Sequence, residues 1–261
     1  GGRFGLLITM NHGELLAGEE ADVAVTMRVA ASEADRTPAT VNVDMSRSGY
    51  RFDGVGGNYC FRIDAPQTEY TLQNLQVAYA RTEMSVVEWE PGNGSAAPRT
   101  PDWGFFVAHD QPQSRLRGEL ELMQRLERKG IPYCISIWKL PGWLCENSSL
   151  ALDARPRRVA ADKWDELLEA ITTYLLYARL HYGVTPDLFS FNEPDIGVNV
   201  MFSPDEHRQL VERLGGHLKR SGLETRMLVG DVSRATDTQA YVMPALADKN
   251  ARSVAGAISF H

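Results

Sequence analysis

The sequence lacks the features that mark disulfide-bonded, membrane-spanning or metal-dependent proteins. Its three cysteines, at positions 60, 134 and 145, are too few for a disulfide framework and lack the spacing of metal ligands, although one pair could still form a bond. No apolar run is long enough to span a bilayer, and the six histidines are scattered. We therefore expect neither a membrane span nor a metal or other cofactor.

Basic residues are also fewer than acidic residues. The chain of 261 residues carries 27 Lys and Arg against 34 Asp and Glu, a formal charge of −7. This balance argues against nucleic acid or an anionic membrane as the main partner. A signal peptide is not recognisable either, and the first residues, Gly1-Gly2-Arg3, look like a trimmed end. The hydrophobic content of 43% is typical of a globular protein with one large domain or two small ones.

The first part of the chain, residues 1–48, is rich in β-forming residues. Residues 23–29 and 40–44 alternate between apolar and polar positions, as half-buried strands do, and no helical pattern lies between them. Thr37-Pro38 marks a turn. The pattern predicts sandwich-like strands that do not belong to a parallel sheet.

From residue 49 to residue 261, strand and helix patterns alternate. Six strands and five helices in this order predict right-handed βαβ units and a parallel sheet. The expected fold is α/β, a (β/α) TIM-type barrel that is incomplete, because a whole barrel has eight strands. A first helix is expected at 68–78, and a long loop at 92–113.

Local signals predict the ends of three later helices. The segment 114–129 has an apolar stripe and ends before a glycine and a proline. Asp162 is a plausible N-cap for the third helix. Ser203, Pro204 and Glu206 form the pattern of a capping box at the start of the fourth helix.

The most informative stretch is 187–195, which reads DLFSFNEPD. Its apolar residues predict a strand that is covered on both faces. Pro194 cannot continue the ladder and keeps Glu193 out of the helical region. Glu193 should therefore lie at the carboxyl end of a strand, where TIM barrels carry out chemistry. A carboxyl group above an apolar core can act as a general acid. Taken alone, the tripeptide could equally be an ordinary turn.

Polar and aromatic residues also follow the other predicted strands. Those that we expect to bind substrate beside Glu193 are Asn192, Arg81, Trp89, Trp138, Trp143, Asp231 and His261. Each has a simpler explanation, since a tryptophan is often part of the core, an aspartate can cap a helix and an arginine can be an ion-pair partner. Together, aromatic faces beside carboxylates and amides suit a sugar, which has apolar ring faces and a fringe of hydroxyl groups.

The order of these motifs resembles that of clan A glycoside hydrolases, most of all family 30. The resemblance covers about 50–261. It rests on the glycine-rich DGVGGN at 53–58, SIWKLPGW at 136–143, FNEP at 191–194 and ISFH at 258–261. It implies a retaining hydrolase of β-linked poly- or oligosaccharides. Glu193 would be the acid/base, and Asn192 would contact the sugar 2-hydroxyl.

One departure from the family pattern affects the mechanism. The resemblance implies a nucleophilic Glu at the end of a seventh strand, whereas the sixth apolar run reaches His261. Glu83, Glu90 or Asp231 could substitute for it. A truncated gene, a partial barrel completed by a partner and a non-catalytic carbohydrate-binding protein all fit this pattern.

Two further expectations concern alternatives and partners. A dinucleotide site at 54–57 is disfavoured, because these glycines do not lead into a helix and lack the G-x-G-x-x-G spacing. An incomplete sheet has two open edges, near Tyr50 and Phe260, which predict a homo-oligomer that associates through the first or sixth strand. An extracellular or periplasmic location is expected for a polysaccharide-degrading protein.

Overall fold

The computed structural model describes residues 38, 40, 53–61, 63–93, 103–146, 157–196 and 200–261. The predicted β-rich segment 1–48 lies outside the described residues, apart from Pro38 and Thr40. Part of the predicted loop at 92–113 lies outside them as well.

The described residues contain six strands in one parallel sheet. The strands are β1 (Gly56–Asn58), β2 (Tyr79–Glu83), β3 (Tyr133–Ile137), β4 (Leu188–Phe191), β5 (Arg226–Val232) and β6 (Ala255–Phe260). Their order in the sheet is their order in the chain, and every neighbouring pair is parallel. The predicted fold class is confirmed: the sheet is an incomplete TIM-type α/β barrel.

Eight α-helices connect or follow these strands within the described part of the chain. They are α1 (Pro66–Asn74), α2 (Val86–Trp89), α3 (Trp103–His109), α4 (Arg115–Arg128), α5 (Trp164–Tyr177), α6 (Pro204–Arg220), α7 (Thr238–Ala247) and α8 (Lys249–Val254). The capping box of α6 is confirmed: the Ser203 hydroxyl accepts from the Glu206 amide, and the Glu206 side chain accepts from the Ser203 amide.

Three local predictions are wrong in detail. The first helix begins and ends earlier than expected, since Asn74 is its last residue. The stretch 92–113 includes α3, which forms because Phe106 is buried against other aromatic rings. Asp162 is not the N-cap of α5, because a 3-10 turn, Ala161–Lys163, precedes the helix and Lys163 takes the cap position without a side-chain hydrogen bond.

The two faces of the sheet are covered differently. Alternate strand residues such as Ile135, Phe189 and Val229 point towards the helices and belong to the main core. On the other face, Cys134, Leu188 and Leu228 form a small apolar cluster near the amino ends of the strands. All three cysteines are buried and free, so none forms a disulfide. No helix in the described ranges has the length and apolar character needed to cross a membrane.

Strands β1 and β6 are the two edges of the sheet. On β6, Ile258 and Phe260 are 50% and 66% exposed. A cavity of about 480 Å³ runs between the edges on the concave face, and residues such as Gly57, Leu188 and Ala257 line it. Among the described residues, both edges therefore present backbone groups that have no neighbouring strand, and β6 adds exposed apolar side chains.

Candidate functional site

Glu193 lies at the point where the chain leaves β4. Its φ of +50° is in the left-handed region, which is uncommon for a residue with a side chain. The amide of Glu193 donates a hydrogen bond of 3.0 Å to the carbonyl oxygen of Asp231 on β5. This bond joins the carboxyl ends of two adjacent strands. Strained backbone of this kind persists where surrounding contacts hold it, and it is concentrated at functional sites.

Asp231 reaches the concave face because β5 has a bulge. Gly230 pairs with Ser259 and Val232 pairs with Phe260, so Asp231 is the extra residue. Strict alternation would turn Asp231 to the helix side, with Val229. At the bulge, Asp231 has a φ of +57°, and its side chain points into the concave face instead. Asp231 does not serve as a helix cap, contrary to its simpler sequence interpretation.

A hydrogen-bonded network then forms around Asp231. The Arg81 guanidinium donates from Nη1 to Asn192 Oδ1 at 2.8 Å and from Nη2 to Asp231 Oδ1 at 2.5 Å. The hydroxyl groups of Ser190 and Ser259 donate to Asp231 at 2.9 and 3.3 Å. Burial alone would raise the pKa of Asp231. The hydrogen bond from His261, the charge of Arg81 and the hydrogen bonds from Arg81 and Ser190 together outweigh this effect, so the pKa lies below its usual value.

His261 connects this network to Glu193. Its Nδ1 lies 3.2 Å from Glu193 Oε1, and its Nε2 lies 3.4 Å from Asp231 Oδ1. The hydrogen bond to Asp231 raises the pKa of His261 and outweighs the opposing effects of partial burial and Arg81. The structure therefore brings Arg81, Asn192 and Glu193 together with Asp231 and His261 at the carboxyl ends of the strands.

The oxygen and the nitrogen of the Asn192 side-chain amide differ in their hydrogen bonding. Its Oδ1 is occupied by Arg81, and this bond orients the side chain. Its Nδ2 is buried and has no hydrogen-bond partner among the described residues. A buried donor without a partner is costly, so the group is ready to bind an acceptor.

The sequence prediction that Trp89 binds sugar is wrong. Trp89 is 1% exposed and packs in the core with its ring centroid 5.2 Å from that of Phe106 and 5.4 Å from that of Tyr174. It is buried because α2 turns its side chain under α3 and α5. A ring enclosed in this way has no face for a ligand.

Trp138 and Trp143 remain partly exposed. Trp143 donates from Nε1 to the carbonyl oxygen of Glu90 at 3.0 Å, which fixes its ring. Trp138 packs edge to face with Phe61, with 5.0 Å between ring centroids. These contacts leave aromatic surface beside the carboxyl ends of the strands.

The three carboxylates considered as substitute nucleophiles are all buried. Glu83 accepts hydrogen bonds from Arg115 at 2.7 Å and from the Phe61 amide at 3.2 Å. Glu90 and Asp231 are both 0% exposed. Attack on a sugar ring would also break the hydrogen bonds and ion pairs of Glu83 and Asp231, whereas Asn192 Nδ2 has no such partner among the described residues.

Comparison with solved structures identifies the fold. The catalytic domain of GH30 xylanase C from Talaromyces cellulolyticus matches with a TM-score of 0.62 and 18% identity, over 83% of this chain and 54% of that one. A GH30 endoxylanase from Clostridium papyrosolvens C71 matches with a TM-score of 0.58 and 19% identity, over 81% and 50%. The fold is like that of family 30 glycoside hydrolases of clan A. An endo-β-1,6-glucanase also matches, with a TM-score of 0.56 and 14% identity, over 79% and 51%.

This chain spans about half the length of the family 30 structures that it matches. No protein-family model and no curated protein sequence matches it. At these identities the likeness concerns the fold, and the chemistry has to be argued from the site.

Sequence reasoning missed two contributors to the candidate site. Ser190 supports Asp231, and its position between Phe189 and Phe191 in an otherwise apolar strand was a usable signal. Phe61 is 46% exposed beside Trp138, but no pattern in the sequence indicated this contact.

Proposed function

We propose that this chain carries the acid/base part of a retaining glycoside hydrolase site for β-linked oligo- or polysaccharides. Glu193 is the proton donor. The observation that carries the proposal is the pairing of a partly exposed Glu193 carboxyl with the buried, unpartnered Nδ2 of Asn192 at the ends of parallel strands. A carboxyl group there can protonate a leaving oxygen, while the amide binds a neighbouring hydroxyl group.

In the first step, Glu193 gives its proton to the glycosidic oxygen, the bond between this oxygen and the anomeric carbon breaks, and a nucleophilic carboxylate bonds to the carbon. In the second step, the Glu193 carboxylate takes a proton from water, that water attacks the same carbon, and the bond to the nucleophilic carboxylate breaks. Asn192 Nδ2 donates to the sugar 2-hydroxyl oxygen, and Arg81 keeps the amide in this orientation. Glu83, Glu90 and Asp231 are buried, so none of the three is assigned the role of the nucleophile.

The substrate class follows from the aromatic surface. Trp138 and Trp143 are partly exposed and can stack on the apolar faces of sugar rings. The similar solved structures are named xylanases and an endo-β-1,6-glucanase, so xylo-oligosaccharides and β-1,6-gluco-oligosaccharides are the first ligands to test. An extracellular or periplasmic location suits polymeric substrates of this kind.

The decisive experiment compares the wild-type chain with Glu193→Gln on aryl β-glycosides in azide buffer. Azide serves as an external nucleophile that attacks the anomeric carbon, so the products are a glycosyl azide and the free phenol. We expect Glu193→Gln to slow release by about 10²–10⁴-fold when the phenol is a poor leaving group, and much less for dinitrophenol, which needs little protonation.

The matched control is Glu224→Gln, which changes an exposed carboxyl group just before β5, at the opposite end of the strand. It should behave as wild type. An equal loss on both substrates in Glu193→Gln would contradict the role of proton donor. Unchanged sugar binding by Glu193→Gln, with no turnover by any form, would favour a carbohydrate-binding protein. That second function has support in the burial of all three substitute nucleophiles.

A further inference from the structure

Each ring nitrogen of His261 faces a carboxylate, and the two carboxylates come from different strands. Nδ1 faces Glu193 Oε1 at 3.2 Å, and Nε2 faces Asp231 Oδ1 at 3.4 Å. Only the imidazolium form can donate from both nitrogens. In the neutral ring, one nitrogen accepts instead, so the partner on that side must itself carry a proton.

The Asp231 side of this bridge is fixed. Asp231 is fully buried, and Arg81, Ser190 and Ser259 all donate to it. With its acceptor positions occupied and a guanidinium beside it, Asp231 stays ionised, and the Nε2 proton of His261 remains in place. The proton that His261 loses when it titrates is therefore the one on Nδ1, which faces Glu193.

The charged groups around His261 come from three strands. Asp231 on β5 and Glu193 after β4 favour the imidazolium form, whereas Arg81 on β2 and partial burial oppose it. The bond to Asp231 is the largest of these effects. The side chain is 36% exposed, so the ring is open to solvent on one side.

We propose that His261 is a positioning residue for Glu193, which it holds through a hydrogen bond from Nδ1–H to Oε1. The inference rests on the proposed function and deepens it. The proton that Glu193 gives to the leaving oxygen is carried on Oε2, so Oε1 accepts from Nδ1–H both before and after that transfer. The imidazolium keeps both of its protons throughout, and the proton lost from Oε2 is replaced by one from the attacking water in the second step.

The test is an NMR titration of the whole chain, which requires no sugar. The ¹⁵N signals of the His261 ring, assigned by their loss in His261→Gln, report its protonation and tautomer. We expect the pKa of His261 to lie above 6.5 in the wild type and to fall in Glu193→Gln and further in Asp231→Asn. Glu224→Gln should leave it unchanged. The ¹³C carboxyl signal of Glu193 should shift over the pH range in which His261 titrates, and this shift should disappear in His261→Gln.

The inference is overturned if Glu193→Gln leaves the His261 titration unchanged, or if the Glu193 signal is insensitive to the His261 titration. If Asp231→Asn does not fold, the Glu193→Gln titration and the Glu193 signal decide the matter alone. Absence of any glycosidase activity or sugar binding would refute the proposed function while leaving the titrations as measured. The two failures are therefore distinguishable.

Discussion

Glu119 on α4 offers a quantitative test of the packing between the sheet and the helices. It is 0% exposed and accepts hydrogen bonds from the amide and hydroxyl groups of Ser85, from Arg115 at 3.0 Å and from the Tyr174 hydroxyl at 3.0 Å. Burial raises its pKa from 4.5 to about 7, against the lowering effects of Ser85 and Arg115. The negative charge of Glu83, which shares Arg115, adds to the rise.

The direction of the pH effect follows from this shift. The folded-state pKa of Glu119 lies above the unfolded-state value, so its contribution to stability is fully present below about pH 4.5 and is lost as the pH rises through about 7. A shift from 4.5 to about 7 corresponds to about 3 kcal/mol, since each unit is worth about 1.4 kcal/mol. Glu119→Gln cannot ionise, and its amide can still accept from Arg115 and donate to the Tyr174 hydroxyl.

The measurement is urea-induced unfolding at a series of pH values from 4.5 to 8. We expect the free energy of unfolding of the wild type to fall relative to that of Glu119→Gln by about 3 kcal/mol across this range. Glu121→Gln, an exposed change on the same helix, should follow the wild-type curve. Parallel curves for wild type and Glu119→Gln would refute the reasoning, because they would mean that Glu119 is ionised equally easily in the folded and unfolded chains.

Two further predictions concern the tryptophans and the sheet edges. Trp89→Ala should lower the free energy of unfolding by about 3–5 kcal/mol, measured in urea, because it empties part of the core. Trp138→Ala should instead weaken sugar binding by about 1–3 kcal/mol in calorimetry, and the reverse pattern would contradict the assignment of the two rings. We also propose that the chain self-associates through its open edges. Sedimentation at micromolar concentration should show an oligomer that Phe260→Lys weakens, whereas a wild-type monomer would contradict this.

Several elements could be predicted because their signals are local. The capping box at Ser203 and Glu206 needs only residues three apart, and the apolar stripe of α4 repeats within a few turns. The apolar run before Glu193 and the break at Pro194 likewise place a carboxyl group at a strand end. The alternation of strands and helices then determines a parallel sheet, because the crossover connections allow few other arrangements.

The tertiary structure decided the features that depend on residues far apart in the chain. Trp89 lies in the core because α3 and α5 close over it, although its sequence context resembles that of Trp138 and Trp143. The helical wheel and the period of a strand describe one element at a time, so they cannot show which of two tryptophans another element will cover.

The candidate site also has one part that the sequence determined and another that required the folded sheet. The sequence determined that Glu193, Asp231 and His261 each lie at or just after the carboxyl end of a strand, because strand ends are local features. Their contact required the bulge at Asp231, the left-handed backbone at Glu193 and the hydrogen bond between these two residues. An extra residue in a strand reverses the direction of a side chain. Only the pairing of β5 with β6, which depends on the folded sheet, reveals that Asp231 is the extra residue.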